Sequence, residues 1–222
     1  MKQGLVAFAS SLAVDQGTLW LTTNYRTLHT CAVAGACTLA QQTDLGANTY
    51  PAHLWVANGR VYWISEMGTS RRIQVCLSGG CTAGYPKMVF QGASLDGLAI
   101  SGLVVNATDA YVTSYTGGVY RIPLTDSETA GASGAVQTVG TGYGTGGLDL
   151  DATTLRWANV MSGALESCML PGCAAVVPVM AGLASPSGVR SNAAFIYGIA
   201  RGTPNGAGGY VAGTASIWRL PR

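Results

Sequence analysis

Short runs of β-branched and aromatic residues recur along the chain at nearly even spacing. They are LWLTT (19–23), VYWISE (61–66), AYVTSY (110–115), LRWANV (155–160) and FIYGIA (195–200), and their starts lie 42, 49, 45 and 40 residues apart. Runs of this composition bounded by Gly, Asn and Asp read as β-strands. Before each comes a second apolar stretch: LAVD (12–15), HLWVAN (53–58), LVVNA (103–107), GLDLDA (147–152) and SGVRSN (187–192). Turns such as Asp15-Gln16-Gly17 and Asn58-Gly59 join the two into hairpins.

A third strand follows. In three repeats it ends at a cysteine, as TLHTC (27–31), RIQVC (72–76) and ALESC (164–168). In the other two it reads GGVYRIPL (117–124) and ASIWRLPR (215–222), which match each other closely. A fourth strand is predicted in CTLAQQ (37–42), YPKMVFQ (85–91), AVQTVG (135–140) and AAVVPVMAG (174–182). A period of about 45 residues with four strands is that of a propeller blade. The prediction is an all-β, five-bladed β-propeller forming a single domain over 1–222. Its blades are placed at 12–45, 51–92, 102–141, 146–182 and 187–222. The fifth lacks an outer strand, and GLVAFASS (4–11) resembles PVMAGLAS (178–185). Residues 4–9 are therefore predicted to complete the last blade and close the ring, hiding two sheet edges.

The six cysteines fall as CAVAGAC (Cys31, Cys37), CLSGGC (Cys76, Cys81) and CMLPGC (Cys168, Cys173). Each pair brackets the turn between the third and fourth strands, where a disulfide can staple the outermost strand. The rival reading is zinc, which needs four ligands in one place. Separate blades keep the pairs apart, and His29 and His53 do not repeat with them, so disulfides are expected and no metal. Bridges imply an oxidising compartment: extracellular, cell surface or periplasmic.

Composition narrows the partners. Charged residues are 10% of the chain against 48% hydrophobic, with 31 glycines and a net charge of +2. A balance so near neutral gives no reason to expect a nucleic-acid partner. The longest apolar runs, about ten residues, are too short for a helical membrane span. The start, MKQGLVAFASSLAV, reads as a strand rather than a signal peptide.

The order of Val61-Tyr62-Trp63 and of the cysteine hairpins Cys76 to Cys81 and Cys168 to Cys173 resembles the repeats of secreted bacterial β-propellers related to the NHL and YWTD groups. That resemblance implies binding or scaffolding, and it brings no catalytic motif. Its members usually carry six blades or more, against five counted here.

In a propeller the loops between second and third strands share one face with the loops between blades. That placement nominates Tyr25, Glu66, Arg71, Tyr115, Tyr143 and Arg201 as ligand-binding residues, with Tyr50 and Arg26 beside them. Tyrosines with arginines suit a glycan or protein ligand. Asp44, Glu66, Asp96 and Asp149 are the carboxylates that a glycosidase-like alternative would use. Asp15, Asp109 and Asp151 are read as turn caps. Trp20, Trp63, Trp157 and Tyr197 are expected to pack between blades. GTGYGTGG (140–147) lacks the Lys-Ser/Thr ending of a phosphate loop. No catalytic residue and no cofactor is predicted. The leading expectation is a non-enzymatic recognition or scaffold module, with a glycosidase-like hydrolase and a structural subunit of an extracellular assembly as alternatives.

Overall fold

The computed structural model describes residues 9–23, 26–34, 41–45, 50–67, 70–78, 81, 86–91, 95–96, 98–124, 135–141 and 144–222. Among them there is no helix. Nineteen strands make five antiparallel sheets, each hydrogen-bonded in chain order. The first is β1 (Ala9–Asp15), β2 (Thr18–Thr23), β3 (Thr27–Ala32) and β4 (Gln41–Asp44). The second is β5 (Tyr50–Ala57), β6 (Arg60–Met67), β7 (Ser70–Leu77) and β8 (Lys87–Gln91). The third is β9 (Ile100–Val105), β10 (Asp109–Ser114), β11 (Gly118–Pro123) and β12 (Gln137–Thr141). The fourth is β13 (Gly144–Leu150), β14 (Thr154–Asn159), β15 (Ala164–Met169) and β16 (Val176–Met180). The fifth has three strands, β17 (Pro186–Ser191), β18 (Phe195–Ala200) and β19 (Ser216–Pro221). This is the five-bladed, all-β propeller class that the sequence period predicts. The expected closing strand, 4–9, lies outside the described residues except for Ala9, which belongs to β1 opposite Thr23.

The chain divides into two compact units. Met1–Gly97 with Pro123–Ala135 holds the first two blades; Leu98–Ile122 with Val136–Arg222 holds the other three. The units solve the hairpin between first and second strands differently. In the first, two-residue turns place Gln16 (φ 46°) with Gly17 (φ 76°) and Asn58 (φ 53°) with Gly59 (φ 68°). Both central residues are left-handed, the twist-matched turn that favours Asn-Gly. In the second unit a side chain does the capping. The Asn106 Oδ1 accepts from the Thr108 and Asp109 amides at 2.9 and 2.8 Å. Asp151 does the same with Thr153 and Thr154, and Asn192 with Ala194 and Phe195. Asp151 is thus the cap expected of it, but Asp109 is not. Asn106 already fills that role, and Asp109 turns inward, buried, onto the Arg121 guanidinium at 2.8 Å.

Within each unit, blades pack face to face. In the first, Trp20 and Leu28 of one blade meet Leu54, Val61 and Trp63 of the next. The Leu54 amide also donates to Ser11 Oγ at 2.8 Å. In the second, Leu165 packs with Val189, Ile196 and Ala200 of the blade that follows it. The Ser191 hydroxyl donates to Asp149 across the same boundary at 2.6 Å. Arg156, buried, lies between Asp149 (3.5 Å) and Asp151 (2.6 Å). Burial pushes the Asp151 carboxyl up, but the Thr153 and Thr154 amides and the Arg156 guanidinium more than reverse this, and it ends below its ordinary range. The tryptophans Trp20, Trp63 and Trp157 are buried between blades as expected. Tyr197 is not: it is 37% exposed. It occupies the same place in its blade as Trp20, but lies on the far face of the last sheet of its unit, where no described sheet of that unit covers it.

Two staples are in place, Cys76–Cys81 and Cys168–Cys173, each across a third-to-fourth-strand turn. Cys31 is also disulfide-bonded; Cys37 lies outside the described residues. Close by, His29 is buried on β3, its Nε2 2.9 Å from the Thr27 hydroxyl. Its Nδ1 has no partner among the described residues, and burial lowers its pKa.

Two outcomes follow from this architecture. Replacing Cys76 and Cys81 by serine should lower unfolding free energy by about 2 kcal/mol, the loop-closure value for so short a loop, read by denaturant titration. Folding favours the neutral His29 ring, so the stability it contributes is whole above the unfolded value of about 6.5 and is lost as pH falls through the lower folded value. Denaturation midpoints measured across that range should fall on acidification, and His29→Gln should flatten the fall.

Candidate functional site

Strand register assembles the best-formed polar cluster at one end of the second blade. Tyr50 on β5 lies opposite Glu66 on β6, and Glu66 lies opposite Arg71 on β7. The three side chains therefore form one row across the strand ends, beside the turn joining β6 to β7. Arg71 Nε is 3.2 Å from Glu66 Oε1, with the arginine largely buried and the glutamate half-exposed. The Arg71 amide donates to Asp96 Oδ1 at 2.9 Å, which brings in the connection that follows β8. Tyr50 stands 54% exposed at the head of the row. Tyr50, Glu66, Arg71 and Asp96 were all expected on this face. That they form one cluster depends on cross-strand register and on a hydrogen bond between residues 25 apart in sequence.

The corresponding end of the first blade is also polar. Thr23, Thr27 and Asp44 share a row of the register. Arg26, in the left-handed region (φ 57°), pairs with Asp44 at 3.3 Å, both side chains about half exposed. Tyr25, nominated at this turn, lies outside the described residues.

In the second unit, Tyr115 opens the turn between β10 and β11. It is 44% exposed, and its amide donates to Ala99 O at 2.9 Å. The Ser114 and Thr116 hydroxyls lie 3.1 Å apart beside it. Arg201 directly follows β18, exposed, its amide donating to Ser185 O. The loop after it closes on a Pro204–Tyr210 bridge, with Asn205 Oδ1 accepting from the Ala207 and Gly209 amides. Tyr143 lies outside the described residues.

One candidate acid is committed elsewhere: Asp149 is buried between Ser191 and Arg156. Glu166, which was not a candidate, accepts from Trp157 Nε1 (2.9 Å), Asn159 Nδ2 (3.0 Å) and the Ser162 hydroxyl (2.9 Å), so it fastens a tryptophan to the blade. Hydrolysis of a glycoside needs one carboxyl group to donate a proton and a second to attack or to activate water. In the second-blade cluster Glu66 is held by the Arg71 guanidinium and Asp96 by its amide. Among the described residues no group of three or more His, Cys, Asp and Glu comes together to hold a metal.

No protein-family model and no curated protein matches the sequence. Solved structures resemble the fold. The chain is similar to one in the crystal structure of a nidogen/laminin complex, with a TM-score of 0.64 and 16% identity over 86% of this chain and 72% of that one. It is similar to Hsv2 of Kluyveromyces lactis, at TM-score 0.62 and 10% identity, covering 87% of this chain but only 57% of the Hsv2 chain. It is also similar to a streptogramin B lyase, at TM-score 0.60 and 12% identity, covering 96% and 68% of the two chains. At these identities the likeness establishes a repeat-built propeller fold and nothing finer.

Proposed function

We propose that this protein is a non-catalytic recognition module, secreted or displayed in an oxidising compartment, that binds a glycan or protein ligand at the loop ends of its blades. The observation carrying the reading is the row Tyr50–Glu66–Arg71 with Asp96. An exposed aromatic ring offers a stacking surface, and the neighbouring carboxylates and guanidinium offer acceptors and donors to hydroxyl groups. The row is positioned by strands rather than by a long loop, so its geometry is set before a ligand arrives. Tyr115 and Arg201 present the same residue types at the matching turns of two blades of the second unit, and Tyr25 and Tyr143 are proposed as further contacts from their positions in the repeat. The connecting loops differ greatly in length, so five equivalent sites are not expected. The two disulfides support the compartment. A chain of related fold in a nidogen/laminin complex is in keeping with a binding role.

The test is a glycan-array screen followed by titration of the best-bound glycan. Tyr50→Ala and Tyr115→Ala are each expected to weaken binding by about tenfold or more, as an interface anchor does, with the melting temperature unchanged. Arrays without signal, together with capture of a protein ligand that the same substitutions weaken, assign the rim to protein recognition. Binding that ignores both substitutions contradicts the proposed rim, and turnover of a polysaccharide lost in Glu66→Gln or Asp96→Asn contradicts the non-catalytic reading.

A further inference from the structure

Two blades hold a tryptophan in the same way, with one chemical difference. In the second blade Trp63 lies opposite Gln74, and in the fourth Trp157 lies opposite Glu166. The Trp63 indole donates to Ser65 Oγ at 3.0 Å, and the Ser65 hydroxyl donates to the Gln74 side-chain oxygen. A neutral amide is therefore enough to end the chain of donors that fixes the ring. In the fourth blade a carboxylate takes that place, yet its partners, the Trp157 indole, the Asn159 amide and the Ser162 hydroxyl, are all neutral. Among the described residues the lysines and arginines that form ion pairs do so with other acids. A half-buried carboxylate without a cation is costly to desolvate, and holding the tryptophan does not require its charge.

The charge borders a hollow. Between β12 of the third blade and β15 and β16 of the fourth lies a space of about 300 Å³, lined by Thr138, Val139, Gly140, Thr141, Glu166 and Val176. All six residues belong to the second compact unit. Thr138, Thr141 and Val176 are exposed, so the space opens to solvent. Its volume lies at the bottom of the range for small-ligand sites, about 300–1,000 Å³, and suits one group the size of a side chain. The lining has two characters. Val139 and Val176 are aliphatic, while Glu166 and the two threonines offer a carboxylate and hydroxyl groups.

We propose that this hollow binds a lysine side chain of a protein partner. The ammonium is a compact cation with three donors, which Glu166 and the threonine hydroxyls can accept. The four-carbon stem has Val139 and Val176 to lie against. Lysine suits the site better than arginine. Both Glu166 oxygens already accept side-chain hydrogen bonds, which favours a single contact with a point charge over the two-pronged contact of a guanidinium. An amino sugar would bring the ammonium without the aliphatic stem. The hollow lies on the outer strands of two neighbouring blades, apart from the rim around Tyr50, and does not rest on that rim's role.

The test is an NMR titration of the isotope-labelled full chain with Nα-acetyl-lysine methylamide. The Trp157 indole N–H is the direct reporter, because it donates to Glu166. That resonance and the backbone amides of Thr138, Thr141 and Val176 should shift and saturate. The same probe acetylated on Nε keeps the stem and loses the charge, and should bind about tenfold more weakly or worse, as the loss of one hydrogen bond to a charged group implies. Glucosamine should also bind more weakly than the lysine probe. Glu166→Gln should keep the parent's melting temperature, as Gln74 does the equivalent task in the second blade, and should lose affinity by about tenfold or more. Val176→Lys places an ammonium in the hollow from its own wall; it should fold and refuse the probe, which keeps the test decisive if Glu166→Gln unfolds. Tyr50→Ala and Tyr115→Ala should leave this titration unchanged, so the hollow and the rim stand or fall separately. The proposal is overturned if these resonances do not move, or if the acetylated probe or glucosamine binds as well as the lysine probe. It is equally overturned if folded Glu166→Gln or Val176→Lys binds the lysine probe as the parent does.

Discussion

The contact between one blade's tryptophan and the backbone of its neighbour sets the tolerances for much of the rest. The Trp157 ring lies so near Gly140 on β12 that a Cβ there would stand 2.8 Å from Cζ2. The ring cannot withdraw easily. Its indole N–H is held by Glu166, which is gripped in turn by Asn159 and Ser162, and Asn159 also donates to Thr141 O on the neighbouring blade. A sheet that packs on one face only would leave half its apolar side chains in water. In the second unit the fourth blade lies between two others, and the residues of its β14 are nearly all buried. A very low charged fraction is the price of that arrangement, and it leaves the strand ends and turns as the places where polar chemistry concentrates.

The blades were legible because their period survives large differences in detail. Aromatic runs and turn residues recur even where the cysteines do not, and strands β2, β6, β10, β14 and β18 fall where those runs lie. What the pattern could not distinguish was which of two similar residues a turn would use. Asp109 and Asp151 look alike in sequence, yet Asn106 stands three residues ahead of the first and takes over the cap, which frees Asp109 to pair with Arg121. The matching arginine of the fifth blade, Arg219, instead lies over the Phe195 ring at 4.4 Å, because phenylalanine replaces the aspartate. Tyr197 was misread for a different reason. Its strand and position are those of a buried residue, but burial there is supplied by the following blade, and within its own unit the last blade has none.

The candidate rim divides in the same way. Position in the repeat was enough to nominate Glu66, Arg71, Tyr115 and Arg201, because turns between second and third strands recur. It was not enough to group them. Tyr50, Glu66 and Arg71 form a row only because β5, β6 and β7 pair in a register that aligns all three, and a one-residue slip would send alternate side chains to the other face. The same strands that bury Trp63 and Ile64 therefore hold the polar row in place, which links the apolar core directly to the surface where recognition is proposed.

The claim that blade-on-blade contact governs this fold is tested most directly by thermal denaturation of Gly140→Val. The added side chain must enter the space of a buried indole that three hydrogen-bonded neighbours hold fixed. Overpacking of this kind costs about 1–3 kcal/mol, and a chain of this size loses roughly 2–4 °C in Tm per kcal/mol. A fall of several degrees, with a changed near-ultraviolet tryptophan signal, is the result expected. A variant with the parent's Tm and the parent's tryptophan spectrum would contradict the account.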